Sequence, residues 1–192
     1  MFKTTTLIIG CLLILSGCSS FNPHQVSLQA IHPDINQNLS LPAQLNIVIE
    51  SRDVRPSALI GFRLGRFSDR AAVNLPVPAS AALVQGGKVA IVKLGATPVP
   101  SQGDATVILT LQNMSYIATQ KALQEVDLSA TIQLSAIKNG ETYIGNYTTE
   151  KQHQFATTPS LATNEKIINE LVLATVNRAF NDPKLIMFLK AP

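Results

Sequence analysis

The sequence has no tryptophan and little charge. Aromatic residues make up 5% of its 192 residues and charged residues 14%, where soluble domains average about a quarter charged. So few aromatic rings weigh against a base-stacking platform for nucleic acid and against an aromatic carbohydrate cleft. The net charge of +3 is too small to indicate a nucleic-acid partner. The 46% of apolar residues is enough for a packed core.

The amino terminus has the pattern of a secretory signal peptide. Lys3 is the only charged residue before Asp34, and an apolar run follows over residues 7–15. This run is shorter than the roughly 20 residues that a membrane-spanning helix needs. A positive start, a short apolar middle and small residues at the end are typical of a signal peptide that is removed from the mature protein.

The end of this segment carries a more specific motif. Leu15-Ser16-Gly17-Cys18 resembles a bacterial lipobox, in which the cysteine thiol receives a diacylglyceryl group and the chain is cut just before it. The resemblance predicts cleavage between Gly17 and Cys18 and a lipid on Cys18, with residues 1–17 removed. The alternative is an uncleaved signal anchor with a chance cysteine. Because Cys11 is lost on cleavage, no disulfide is expected.

The residue after the lipidated cysteine indicates the membrane to which the protein is sorted. In Gram-negative bacteria an Asp at this position favours retention at the inner membrane, and this chain has Ser19. The resemblance therefore implies an outer-membrane lipoprotein whose domain faces the periplasm. A lipobox product carries at least two acyl chains, which anchor a protein stably, whereas a single acyl chain binds a membrane only marginally.

Residues 18–43 are predicted to be a lipidated flexible tether, rich in Asn, Gln and Pro, with a span of roughly 25–30 Å. Alternatively, Val26, Leu28 and Ile31 form a short edge strand, so that part of the tether docks. Residues 44–192 are predicted to form a single α+β periplasmic domain.

Hydrophobic periodicity predicts the elements of this domain. Strands are expected at 44–50, 97–99, 105–116, 126–136 and 142–155, with Asn139-Gly140 as the hairpin turn between the last two. Residues 78–94 fit a helix better than a strand, although the pair Gly86-Gly87 disfavours a helix. A long helix capped by Thr158 and a short helix starting at Asp182-Pro183 follow.

These elements predict an α+β fold. The expected sheet is antiparallel or mixed, with about four to five strands and two main helices packed on one face, preceded by the lipidated flexible tether.

The order of these features resembles the YajG-type family of bacterial lipoproteins over nearly the whole chain. The resemblance rests on the lipobox, on segment 45–49 leading into Asp53-Val54-Arg55 and Gly61, on segment 107–111, on the Asn139-Gly140 turn and on Phe180-Asn181-Asp182. One departure is Gly95-Ala96, where the family more often has an aromatic residue after the glycine. The resemblance implies the outer-membrane location and the fold, and it brings no catalytic residues.

No enzyme is predicted. His24, His32 and His153 are the only histidines, and two of them fall in the expected tether, so a metal site or a catalytic triad is not expected. No cofactor is expected apart from the covalent lipid on Cys18. An envelope hydrolase would need acidic residues such as Glu50, Asp53 and Asp69 to cluster in a cleft.

Arginine shows the strongest local bias. Five of the six arginines fall within nineteen consecutive residues, and they are the candidate contacts for an anionic ligand or partner: Arg52, Arg55, Arg63, Arg66 and Arg70. The planar guanidinium suits carboxylate and phosphate groups. The favoured interpretation is more modest: Asp53 and Arg55 form a structural pair that fixes the loop after the first strand, and the other arginines are solvated.

The sequence thus predicts an outer-membrane-anchored periplasmic lipoprotein that acts as a non-catalytic accessory or interaction module. Its expected partners are the membrane, through the lipid, and an envelope protein, peptidoglycan or lipid component. The alternative is a periplasmic binding protein for an anionic or lipid-like envelope ligand, which would need a cavity between helix and sheet.

Overall fold

The computed structural model describes residues 21–65, 69–76 and 78–192. The predicted cleavage site, Gly17 and Cys18, lies outside the described residues. The elements, in chain order, are the strands and helices β1 His24–Gln25, β2 Asn46–Asp53, β3 Leu59–Leu64, β4 Arg70–Asn74, α1 Ser80–Lys93, β5 Thr97–Val99, β6 Ala105–Gln120, β7 Gln124–Lys138, β8 Glu141–Phe155, α2 Leu161–Phe180 and α3 Pro183–Lys190.

The long strand β6 organises the sheet. On one side its first half pairs in parallel with β2, and its second half pairs in parallel with β3. On the other side β6 pairs along its length with β7, and β7 pairs with β8, both in antiparallel fashion. Strands β1, β4 and β5 complete a mixed eight-stranded sheet that curls into a half-barrel. The helices pack on its inner face, with α1 against β2 and α2 against β7 and β8.

The α+β class and the mixed sheet are confirmed, and residues 80–93 are helical as favoured. The expected number of strands is wrong because β1, β3 and β4 were missed. These strands have two, six and five residues, and the positive-φ residue Gly61 (φ +159°) interrupts the pairing of β3 with a bulge. Elements this short carry too few alternations to be distinguished from a loop. A third helix, α3, starts after Asp182 as predicted.

The amino-terminal end of α2 differs in detail from the prediction. Ser160, and not Thr158, caps the helix, because its hydroxyl oxygen accepts a hydrogen bond from the Thr163 amide at 3.2 Å. The Thr158 hydroxyl instead donates to the carbonyl oxygen of Leu64 at 3.1 Å. Thr158 therefore joins the loop before α2 to the end of β3.

The flexible tether predicted for residues 18–43 is corrected for residues 21–43, which pack on the domain. We call residues 21–43 the strap. Its apolar side chains Val26, Ile31, Ile35 and Leu41 are at most 8% exposed and belong to the core. The alternative of a docked segment was therefore closer to the structure, although only residues 24–25 form a strand, paired with β4. Apolar residues spaced irregularly among Asn, Gln and Pro gave no periodic signal for this docking.

Asparagines of α2 and of its C-cap hold the strap. The side-chain oxygens of Asn169, Asn177 and Asn181 accept hydrogen bonds from the amides of residues 29, 34 and 36, at 2.7, 2.9 and 2.7 Å. The Asn169 and Asn181 side-chain amides donate in turn to the carbonyl oxygens of residues 27 and 34. Asn169 and Asn177 are about two helical turns apart and Asn181 is about one turn further, so these residues form a ladder along one side of α2 and its C-cap. The ladder satisfies backbone groups that would otherwise need a neighbouring strand.

The glycine pair of α1 makes room on both sides of that helix. A Cβ atom at Gly86 would lie 2.9 Å from Cβ of Ile31 in the strap, and one at Gly87 would lie 2.7 Å from Cγ2 of Ile49 in β2. Both distances are closer than carbon atoms approach in proteins. Gly86 and Gly87 therefore let α1 lie tightly between the strap and the sheet, which outweighs their cost to the helix of about 1 kcal/mol each.

The ladder predicts a local change in hydrogen exchange. Asn169→Ala removes the acceptor of the Gln29 amide and a donor to the strap, so we expect this amide to exchange roughly 2- to 10-fold faster, given about 0.5–1.5 kcal/mol for a hydrogen bond. Lys166→Ala, at an exposed position of the same helix, is the control and should leave exchange unchanged. Equal exchange at Gln29 in both variants would show that the ladder does not hold the strap.

Candidate functional site

The structure does not bring all the candidate arginines together, although Arg63 and Arg70 lie on neighbouring strands. Arg52 pairs in register with Thr110 of β6, whereas Phe62 pairs with Ile117, so Arg63 lies about eight residues further along β6. At about 3.3 Å per residue the separation is roughly 26 Å along the sheet. Arg66 lies outside the described residues. The arginines that lie close together in the sequence therefore do not form one cluster on the surface, because Arg52 and Arg63 are far apart.

Arg55 is a buried structural residue. Its Nε and Nη2 atoms donate to the two carboxylate oxygens of Asp53 at 2.9 and 2.7 Å, and both side chains are at most 2% exposed. The guanidinium also donates to the carbonyl oxygen of Leu75, after β4, and the Ala79 amide donates to Asp53 at 2.9 Å. The pair thus fixes the end of β2 to the residue after β4 and to the start of α1. This is the structural pair that the sequence favoured.

The environment of Asp53 stabilises its charged form. Burial alone would raise the pKa of the carboxyl group, but hydrogen bonds from the Arg55 side chain and the Ala79 amide outweigh burial and hold the pKa below its usual range. Asp53 is therefore ionised in the folded protein at neutral pH, and its oxygens are occupied by donors of the protein itself. Neither Asp53 nor Arg55 offers a free group to a ligand.

Removing one partner of this pair should destabilise the fold strongly. We expect Arg55→Ala to lower the free energy of unfolding by about 3–5 kcal/mol, because it leaves a buried carboxylate without its partner. Arg52→Ala, at an exposed position, is the matched control and should stay within about 0.5 kcal/mol of the native protein. Urea denaturation of the two variants measures both values, and similar midpoints would contradict a structural role for Arg55.

The same pair predicts an acid-dependent loss of stability. Since the pKa of Asp53 is lower in the folded than in the unfolded protein, its contribution is fully present above the unfolded value near 4 and is lost as the pH falls through the folded value. We therefore expect the stability difference between native protein and Asp53→Asn to be constant from pH 7 to 5 and to shrink below about pH 4. A difference that does not change with pH would contradict this assignment.

Arg63 is also buried, at 9% exposed, but its surroundings differ from those of Arg55. One Nη2 hydrogen bond, of 2.6 Å, goes to the carbonyl oxygen of Asn22, and the guanidinium lies 3.8 Å from the ring centroid of Phe21. Within the described residues Arg63 forms no ion pair, and its Nε atom has no hydrogen-bond partner. Arg63 thus holds the first residues of the strap by a cation–π contact and a single carbonyl.

A chain of buried polar side chains lies beside Arg63. The Tyr116 hydroxyl donates to the side-chain oxygen of Asn164 at 3.2 Å, and the Asn164 amide donates to Nδ1 of His24 at 2.9 Å. Burial, reinforced by the charge of Arg63, lowers the pKa of His24, and burial raises the pKa of Tyr116 to about 12. Both groups are therefore neutral at physiological pH. The sequence had placed His24 in a flexible tether, and only the docking of the strap brings it into the core.

A second polar cluster fixes the start of α3. The hydroxyls of Tyr143 and Tyr147 lie 2.9 Å apart, and each donates to Oδ2 of Asp182 at 2.7 Å. The other carboxylate oxygen accepts a hydrogen bond from the Lys184 amide, which caps the helix. Burial, together with the negative charge of Asp182, raises the pKa of Tyr143, so its hydroxyl remains a donor. Asp182 is thus a structural carboxylate.

The acidic residues that a hydrolase would need are dispersed. Asp53 is held by Arg55, Glu50 pairs in register with Ile108, and Asp69 precedes β4 at the other end of the sheet. In the described residues no group of three His, Cys, Asp or Glu side chains is placed to hold a metal ion. These residues therefore provide no general acid and base facing each other.

The clefts of the described residues are shallow surface features. One of about 440 Å³ lies between the strap and α2, and another of about 570 Å³ lies on the outer face of the sheet near Ile117. These two clefts and three others of the described residues lie elsewhere than between the helices and the inner face of the sheet. These clefts therefore do not supply the cavity that a carrier of an apolar ligand would need.

One end of the half-barrel, which we call the lower end, gathers several chain segments. The side chains of Gln124 and Thr158 both donate to the carbonyl oxygen of Leu64, at 3.1 Å each. These bonds join the end of β3 to the turn at 121–123 and to the loop at 156–160. Phe21 and Asn22 lie at the same end, against Arg63. In the described part of the chain no helix has the length and apolar character that crossing a bilayer requires.

Comparison with known families now identifies the chain as a lipoprotein. The model of the family described as "Uncharacterized lipoprotein" (Lipoprotein_16) matches residues 33–190. The chain belongs to this family. Membership implies a lipid membrane anchor, and no catalytic activity is indicated for the family. Among curated proteins, none matches the sequence significantly.

A solved structure shares the fold of this lipoprotein. A Xanthomonas campestris protein of the family DUF330 is similar with a TM-score of 0.57 and 7% identity, over 85% of this chain and 95% of that one. A minor lipoprotein from Acinetobacter baumannii has a TM-score of 0.40 and 13% identity, over 78% and 92% of the two chains. A lipoprotein from Neisseria meningitidis has a TM-score of 0.37 and 12% identity, over 72% of this chain and 99% of that one. Of these three structures, the Xanthomonas campestris protein is the one whose TM-score supports a common fold.

Proposed function

We propose that this chain is a YajG-type lipoprotein of the outer membrane, facing the periplasm and acting as a non-catalytic accessory or interaction module of the cell envelope. In this proposal residues 1–17 are removed, and the lipid on Cys18 is the anchor. The observation that carries it is the match to a lipoprotein family over residues 33–190, in a chain with a lipobox ahead of the matched segment.

The polar clusters of the domain support an interaction module over an enzyme. The side chains of Asp53 and His24, which are buried, and of Asp182, which is half-buried, are each engaged by donors or acceptors of the protein itself. In the described residues no helix covers the outer face of β6, β7 and β8, and this face carries uncharged polar pairs such as Thr131 with Thr148 and Gln133 with Asn146. Such a surface suits contacts with an envelope protein or with peptidoglycan.

The packing of the arginines limits which of them we propose to contact an anionic group. Arg55 has its guanidinium occupied by Asp53 and Leu75, and Arg63 lies beneath Phe21. Arg52 and Arg70 are exposed, and they are the described arginines for which we propose contact with an anionic group of the envelope. Because they lie at different positions of the sheet, they serve separate contacts and not one ligand.

The anchor is tested by labelling with radioactive palmitate in growing cells. We expect Cys18→Ser to abolish incorporation and to release the protein from the membrane fraction, because the thiol that carries the lipid is gone. Cys11→Ser is the matched control and should keep both properties, since Cys11 is removed with the signal peptide. Incorporation that survives Cys18→Ser, or membrane association without it, would contradict the proposal. Ser19→Asp should move the labelled protein from the outer to the inner membrane.

A further inference from the structure

The docking of the strap leaves a very short connection to the anchor. The first described residue, Phe21, is three residues after Cys18, and three residues span at most about 11 Å. Phe21 and Asn22 are held at the lower end of the half-barrel by Arg63, through the 3.8 Å ring contact and the 2.6 Å hydrogen bond. A lipid on Cys18 therefore keeps the lower end within about 11 Å of the bilayer surface.

The lower end exposes apolar side chains on the outer face of the sheet. Phe62 of β3 and Ile117 of β6 are neighbours in register and are 41% and 56% exposed. Leu123, in the turn after β6, is 45% exposed. The guanidinium of Arg70 lies 5.7 Å from the ring centroid of Phe62. Apolar side chains beside a cation are the combination that binds at the headgroup level of a bilayer.

We propose that the surface formed by Phe62, Ile117, Leu123 and Arg70 contacts the same bilayer that holds the lipid on Cys18. This inference rests on the proposed anchor and specifies the orientation of the anchored domain. Leu123 reaches the bilayer first, Phe62 and Ile117 lie against the headgroups, and Arg70 meets lipid phosphates. The headgroup region is about 5–7 Å deep on each side of the bilayer core, which suits side chains near the tip of the domain.

The position of the surface favours lipid over a protein as its occupant. Ile117 is three residues from the end of β6, or roughly 10 Å along the strand, so the anchor brings it to the bilayer without a further binding partner. An anchored surface has a high effective concentration at the membrane, and even a weak affinity is then sufficient. A separate protein would have to compete with lipid that is already adjacent.

A second exposed isoleucine provides a matched control. Ile144 is 58% exposed and pairs with Ser135, whose other neighbour is Ile108 on β6. Ile108 and Ile117 are nine residues apart, so the two isoleucines are separated by roughly 30 Å along the sheet. Both lie on the outer face of one sheet, but only Ile117 is at the lower end. A comparison of Ile117 with Ile144 therefore tests the effect of position on the sheet, because the residue type is the same at both.

The experiment places a fluorophore at either position. The mature chain has a single cysteine, which the lipid blocks, so Ile117→Cys and Ile144→Cys can each be labelled alone with the environment-sensitive dye NBD. The lipidated proteins are reconstituted in phosphatidylethanolamine–phosphatidylglycerol vesicles containing a spin-labelled lipid that quenches in the headgroup region. We expect quenching at position 117 to exceed that at position 144 at least about twofold. A flexible linker of about 20 residues after Ser20 should reduce the difference, because it would let the domain move some 25 Å away.

The outcomes separate the two proposals. Mass spectrometry of the amino-terminal peptide first shows whether Cys18 carries lipid, and a chain without lipid overturns both the anchor and the orientation. A lipidated chain with equal quenching at positions 117 and 144 keeps the anchor but overturns the bilayer contact, leaving the exposed surface to a protein partner. Equal quenching with and without the linker overturns the role of the short connection.

Discussion

The rest of the structure depends on the docking of the strap. Hydrogen bonds hold the strap on one side, and apolar packing holds it on the other. Asn169, Asn177 and Asn181 serve its backbone from α2, and Gly86 of α1 leaves space for Ile31. Full burial of a side chain such as Val or Ile contributes about 1.5–3 kcal/mol, so four buried strap residues contribute on the order of 6–12 kcal/mol. That is comparable with the whole stability of a domain. This burial favours the docked strap and opposes the conformational entropy that is lost when its backbone is ordered.

The elements with long, regular patterns could be predicted from the sequence. The alternation over residues 126–136, the Asn139-Gly140 turn and the apolar stripe of α2 each depend on local periodicity, which the sequence shows directly. The strap could not be predicted in this way, because its stability comes from side chains more than 130 residues away in the chain. Glu165, Asn169, Asn177 and Asn181 recur at multiples of four residues along α2 and its C-cap, but the sequence does not show that their partner is the strap.

The arginines show why a bias in composition does not define a site. Arg55 and Arg63 are eight residues apart and both are buried, yet one completes a bidentate ion pair and the other is stacked under Phe21. Which of these an arginine forms depends on its position relative to the strands and on the face to which it points. The Asp53-x-Arg55 spacing did indicate the ion pair, because residues two apart at the end of a strand point to the same side. No such local partner existed for Arg63, whose contacts come from the strap.

A docked strap also changes what sets the reach of a lipid-anchored domain. With the flexible tether that composition suggested, reach would depend on linker length, and the domain would sample every orientation. With residues 21–43 packed against the rest of the domain, the distance to which the domain extends from the bilayer instead depends on the length of the strands. Strand β7 has 15 residues and extends roughly 50 Å from the lower end toward the Asn139-Gly140 turn. For an anchor at Cys18 and the orientation proposed above, that turn and the carboxyl-terminal helix beside it would lie far from the bilayer, whereas the lower end would lie next to it. Partners of the two ends would thus meet different layers of the envelope.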